Sequence, residues 1–181
     1  MQKITKIEYD EYKNSLNNAA LYFKLAFGLT ATPPKIEYLQ FFSYGQHVAK
    51  FEELSLTSDE EKYAFSMLEH CATYLCVVQV HTVLEAIHDD PFSISEPEVQ
   101  SAFQIARLIR NSFAHNPFAP VWKFGEKYEN QYYVVQNVIS LKTSGLNNNS
   151  VTRKHYGGPL AILRLLEFTC EVLQRHYIEA L

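Results

Sequence analysis

The sequence predicts a mainly α fold: a bundle of about five helices, with a small β-hairpin inserted before the last one. Three observations lead there. Apolar residues recur at steps of three and four along most of the 181 residues, the spacing of one helix face. The stretch from Ser58 to Ile87 contains neither Gly nor Pro, so nothing in it stops a helix. Residues 131–141 are dense in β-branched and aromatic side chains, as strands are. An apolar fraction of 47% supplies one sizeable core. Residues 1–181 are therefore expected to form a single domain, with 127–151 as a short strand-and-turn insertion.

The first helix is expected from about Tyr9 to Phe27. Tyr9, Tyr12, Leu16, Ala19, Phe23 and Phe27 share one face, and Gly28 is a natural stop. After the connector Thr30-Ala31-Thr32-Pro33, Pro34 can open a second helix to about Leu54. Its stripe would be Ile36, Leu39, Phe42, Val48, Phe51 and Leu54, with Gly45 a weak point in the middle. Ser58-Asp59-Glu60-Glu61 reads as a capping box opening a third helix that runs to Ile87. Thirty residues would span roughly 45 Å at ~1.5 Å per residue, long enough for a bundle spine or a dimer surface.

His88 to Phe92 reads as a loop, and Ser95-Glu96-Pro97-Glu98 as a second capping box. The fourth helix carries Val99, Phe103, Ala106, Ile109 (or Arg110) and Phe113. It should end near His115, because Asn116 precedes Pro117 and is pushed out of the helical region. Residues 116–127 read as an ordered loop anchored by Phe118, Val121 and Trp122. A hairpin over 131–141 and the turn residues 144–150 follow, then a last helix from about Leu160 to Ile178.

The N-terminal residues lack the apolar run of a signal peptide. The longest uncharged helical stretch, Cys71 to Leu84, is too short and polar to span a bilayer. A cytoplasmic, non-membrane protein is expected. Cys71, Cys76 and Cys170 fit no zinc spacing and read as reduced thiols. The net charge of −4 hides an asymmetry. Residues 99–166 hold eight bases and two acids, a net +6, against −10 for the rest. A local anion site is expected in that basic part, the plain alternative being a solvated charged face.

Within it lies Arg107-Leu108-Ile109-Arg110-Asn111-Ser112-Phe113-Ala114-His115-Asn116-Pro117. Cleaving RNA through its own 2′-hydroxyl needs a base of near-neutral pKa, which His supplies. It also needs a cation on the phosphate, which Arg supplies as a planar fork. Asn111 could orient the imidazole or donate to a phosphate oxygen. Asn111 and His115 are four apart and share a helix face. Arg110 and His115 are five apart, about 140° around an ideal helix. They would meet only at a frayed helix end or across two chains. The plain structural alternative is that Arg110 pairs with an acid and His115 merely ends a helix.

Three other features compete. His70, His81 and His88 fall on nearly one face of the long helix, but the rise separates successive ones by about 10–16 Å. One ion could not reach two of them, so a metal would need ligands from other helices, such as His47. A polar stripe at a helix contact is the expected role. Arg153-Lys154-His155-Tyr156-Gly157-Gly158 could hold an anion at the start of the last helix, or be a turn with surface charge. With Arg107 and Lys123, the candidates for RNA-backbone contact are Arg107, Lys123, Arg153, Lys154 and His155. Trp122 and Phe118 could stack a base, though core packing is the simpler role.

The run Arg110-Asn111-Ser112-Phe113-Ala114-His115 resembles the signature of the HEPN superfamily: Arg, a polar residue that is often Asn, a few residues, then His. The helices over roughly 58–115 are similar to a HEPN bundle, and residues 127–151 would be an elaboration on it. The resemblance implies a metal-independent endoribonuclease acting as a homodimer, whose paired motifs build one cleft. Arg110 and His115 would be the catalytic pair and Asn111 the polar helper. Such proteins occur in toxin–antitoxin and phage-defence systems, which implies RNA as substrate and an antitoxin or other protein partner. No metal or other cofactor is expected. The rival expectation is a non-catalytic HEPN-like dimeric binding or partner module. A third is an interaction protein in which the motif only closes a helix.

Overall fold

The computed structural model describes residues 3–37, 41–50, 55–88, 90 and 92–179, with the backbone alone at 41–44, 49 and 50. The described residues contain four α-helices and two antiparallel hairpins. The helices are α1 (Lys6–Ala31), α2 (Ser58–Ile87), α3 (Pro97–Ala114) and α4 (Pro159–Glu179). Strands β1 (Phe41–Tyr44) and β2 (His47–Lys50) form the first hairpin, and β3 (Tyr132–Val135) and β4 (Ile139–Lys142) the second.

Helix α2 is the spine. It packs on α1, α3 and α4, while α1 also packs on α4, and α3 leans on β3. Its buried face includes Phe65, Ala72, Cys76, Val80, Val83, Leu84 and Ile87, at helical spacing. Helix α3 is buried nearly all round, from Val99 to Phe113, because the second hairpin covers the side that α2 leaves open. Ile109 is fully buried, and truncating it to Ala would cost about 2–5 kcal/mol in lost transfer energy and cavity. On α1, Leu16, Ala19, Phe23 and Ala26 face the core, while Tyr12 and Phe27 are only partly covered.

The expected second helix over 34–54 is corrected in part. Residues 41–50 form the β1–β2 hairpin instead, while 38–40 and 51–54, with Leu39, Phe51 and Leu54, lie outside the described residues. The cause is local. Gly45 takes φ +59° at the first of two loop positions, where a two-residue hairpin needs the left-handed region. The residues around it, Phe41-Phe42-Ser43-Tyr44 and Val48, suit a pleated strand better than a helix. The described bundle thus has four α-helices where about five were expected.

Three boundaries also move. Helix α1 passes through Gly28 to Ala31. Pro33 drives Thr32 to φ −138°, ψ 78°, and there the helix ends. The cap of α2 is Thr57 and not Ser58: Thr57 Oγ1 accepts from the Glu60 amide, and the Glu60 carboxylate accepts from the Thr57 amide at 2.8 Å. Helix α3 has no side-chain cap at Glu96. The Glu98 carboxylate, expected to reach back to Ser95, instead accepts from the Gln136 amide at 2.8 Å and so ties the β3–β4 turn to α3.

Three other expectations about the elements hold. Helix α2 runs the full thirty residues and α4 starts one residue before the expected Leu160. The β3–β4 hairpin sits within the expected insertion. Among the described residues no helix is long and apolar enough to cross a membrane.

Candidate functional site

Arg110 and Asn111 lie near the C-terminal end of α3, and Arg110 reaches toward α2. Arg110 Nη2 and Nε donate to Asn111 Oδ1 at 3.1 and 3.4 Å. Its third nitrogen, Nη1, lies 3.0 Å from His81 Nδ1 on α2. The guanidinium is therefore gripped from two directions. His81 is 4% exposed and packs on Phe103, ring centroids 4.7 Å apart. Burial first, then the charges of Arg110 and Arg107, lower its pKa to about 4. The ring is neutral at neutral pH, and because Arg can only donate, His81 Nδ1 is the acceptor. Glu85 Oε2 also approaches Nδ1, at 3.5 Å. Beside a neutral ring that approach is not an ion pair.

His115 caps the C-terminal end of α3 at φ −81°, ψ −38° and is exposed. The helix stays intact through Ala114. Chain direction changes only at Asn116, whose Oδ1 accepts from the Phe118 and Ala119 amides at 3.0 and 3.2 Å. The frayed end that would have swung His115 toward Arg110 is thus not formed. On a continuous helix the two side chains leave the axis about 140° apart. Asn111 and His115 share a face, whereas Arg110 turns toward His81.

Arg107, one turn earlier, forms a second polar knot. Its guanidinium carbon lies 5.0 Å from the Phe92 ring centroid and 5.1 Å from that of Tyr128, and Nη1 donates to the Tyr128 hydroxyl. Lys127 Nζ lies 4.9 Å from the same tyrosine ring. Burial works to raise the Tyr128 hydroxyl, but hydrogen bonds and charge from Arg107 and Lys127 outweigh it and hold the hydroxyl below its ordinary value. Three of the eight bases of the +6 segment are thus neighbours through shared partners: Arg107 and Arg110 both act on His81, and Arg107 and Lys127 on Tyr128.

The remaining candidates scatter. Lys123 and Lys154 are exposed. Arg153 Nη1 lies 3.3 Å from Glu69 Oε1 on α2. His155 has a structural role that its sequence context did not reveal. Its Nδ1 accepts from Trp122 Nε1 at 2.9 Å and from the Thr152 amide at 3.2 Å. Trp122 is fully buried and so a core residue; it cannot stack an incoming base. Phe118 is 55% exposed and does not anchor its loop; that role falls to Trp122 and the Val121–Ser150 bridge.

Of the histidine stripe, His81 sits at the α2–α3 contact, as a polar stripe should. Among the described residues no group of three or more His, Cys, Asp or Glu is placed to hold a metal. Cys76 is buried, which pushes its thiol up to about 12. Sequence reasoning missed two partners: His81 for Arg110, and the Phe92–Tyr128 pair for Arg107. The first had a signal, since a histidine within an otherwise apolar helix face needs a polar neighbour on the facing helix. The second had none, because Phe92 and Tyr128 lie in separate loops.

No family model matches the chain, and no curated protein or solved structure matches it significantly. The site must therefore be read from its own chemistry.

Proposed function

We propose that this protein is a metal-independent endoribonuclease of the HEPN type. One observation carries the reading: a guanidinium held on one helix by Asn111 and His81, one turn from an exposed imidazole at that helix's end. A fixed cation loses little rotamer freedom when charge builds on a phosphate oxygen. An exposed histidine can take the 2′-hydroxyl proton and return it to the departing 5′-oxygen. The new bond joins the 2′-oxygen to phosphorus, the bond to the 5′-oxygen breaks, and the product ends in a 2′,3′-cyclic phosphate. In this scheme Arg110 stabilises the pentavalent phosphate, His115 moves the proton, and Asn111 holds Arg110. Arg107, Lys123, Arg153 and Lys154 supply backbone contacts, weaker for the two that are already paired.

Arg110 and His115 point apart on one continuous helix, so the reading requires a homodimer in which the second copy completes the cleft. A role in toxin–antitoxin or phage defence, with an antitoxin or other protein partner, is part of the same proposal. The second reading is a non-catalytic dimeric binding module. It is favoured by one observation: all three Arg110 nitrogens already face partners within the chain.

The test is end-group chemistry. Single-stranded RNA incubated in EDTA should give fragments ending in 2′,3′-cyclic phosphate. An all-2′-deoxy strand of the same sequence should stay intact. Cleavage of both strands, or 3′-hydroxyl products, would exclude the proposed reaction. Intact RNA across varied sequences would leave the binding module.

A further inference from the structure

A cavity of about 200 Å³ opens between α2 and the Arg153–Tyr156 turn, walled at one end by Phe113 of the Arg110–His115 segment. Its polar lining is unusual for so small a space. Glu69 is only 3% exposed, yet its carboxylate meets one cation, Arg153, at 3.3 Å. A buried carboxylate has about four acceptor positions and is costly unless most are used. Thr73, 3% exposed, lines the same space. So does His70, whose buried Nδ1 has no hydrogen-bond partner among the described residues. The apolar walls are the rings of Phe113 and Tyr156, each 2% exposed. A void of roughly 150 Å³ already admits benzene, so this one suits a single flat ring system.

The lining selects the ligand's chemistry. A buried carboxylate repels an anion, so a phosphate does not belong inside. It rewards two N–H donors side by side. Among nucleobases at neutral pH, only guanine offers two adjacent donors on its Watson–Crick edge, N1–H and N2–H. Adenine and cytosine place an acceptor nitrogen beside their amino group, which would face the second carboxylate oxygen. Arg153, held on that carboxylate and 48% exposed at the mouth, is a suitable donor for the guanine O6. Flipped-out bases in single-stranded RNA are bound in this way, by edge hydrogen bonds and aromatic walls.

We infer that the cavity between α2 and the Arg153–Tyr156 turn is a guanine-binding subsite, with Glu69 accepting from N1–H and N2–H. As the pocket for a base next to the scissile phosphate, it rests on the ribonuclease reading above; as a pocket for guanine, it stands alone.

The test is calorimetric or ligand-observed NMR titration of the native chain with guanosine, inosine and adenosine 5′-monophosphates, and with guanidinium ion. The guanine nucleotide should bind, the inosine nucleotide roughly tenfold more weakly for lack of N2–H, and the adenine nucleotide not measurably. Glu69→Gln should abolish the preference for guanine over inosine, and because the native comparison needs no variant, a misfolded Glu69→Gln leaves the test intact. Equal binding of guanine and adenine nucleotides, binding of guanidinium with guanine excluded, or no guanine binding at millimolar concentration overturns the inference. Guanine binding without RNA cleavage would sink the nuclease alone. Cleavage with no guanine binding would sink the subsite alone.

Discussion

Arg110 Nη1 and His81 Nδ1 meet at 3.0 Å across the α2–α3 contact. That bond ties the proposed phosphate-binding cation to the spine of the bundle. It also makes His81 a neutral acceptor that resists protonation.

Stability should therefore fall with acid in a way traceable to His81. Its folded pKa, about 4, is depressed below the ordinary value of 6.5. Between those values the unfolded chain binds more protons than the folded one, so stability falls as pH drops. The loss begins near pH 6.5 and is complete below about 4, amounting to roughly 1–3 kcal/mol. His81→Asn keeps a side-chain acceptor but does not titrate. Urea denaturation at pH 7 and pH 4.5 should show a smaller acid loss in the variant. Equal losses in both proteins would mean that His81 is not the buried acceptor described here.

Trp122 and His155 make a second pair that can be checked. His155→Ala leaves the Trp122 indole N–H buried without an acceptor and should cost about 1–3 kcal/mol. Lys154→Ala, exposed one residue away, should stay within about 0.5 kcal/mol of the parent. Denaturation followed by the emission of Trp122, the single tryptophan, reads both. If His155→Ala melts like the parent while RNA binding falls, His155 is a surface contact after all.

The cap of α2 separates two overlapping readings of one sequence. Thr57→Ala should destabilise by about 1 kcal/mol, whereas Ser58→Ala should be nearly silent. A thermal melt in which the order is reversed would place the cap at Ser58.

The long helices were legible because their signals are local and repeated. Neither Gly nor Pro interrupts α2, and Asn116-Pro117 closes α3. The β1–β2 hairpin was not read, because Phe42 and Val48 also fit a helical stripe and the deciding feature, Gly45 at positive φ, is a backbone angle. Thr57 and Ser58 each have a glutamate three residues on, so residue types alone cannot choose between them. Around the candidate site, Arg110, Asn111 and His115 stood out by type and spacing. Their surroundings did not, since His81 is twenty-nine positions from Arg110, and Tyr128 is twenty-one from Arg107. His155 looked like surface charge because the indole it supports lies thirty-three positions away.

The most direct measurement is the rate at which the native protein and His115→Ala cleave one single-stranded RNA in EDTA. His115 is exposed and ends α3, so its loss should leave the melting temperature nearly unchanged. Removing a general base typically costs about 10²–10⁴-fold in rate. The proposed function predicts a drop of that size with the fold intact. Equal rates in the two proteins, or no cleavage by the native chain, would contradict it.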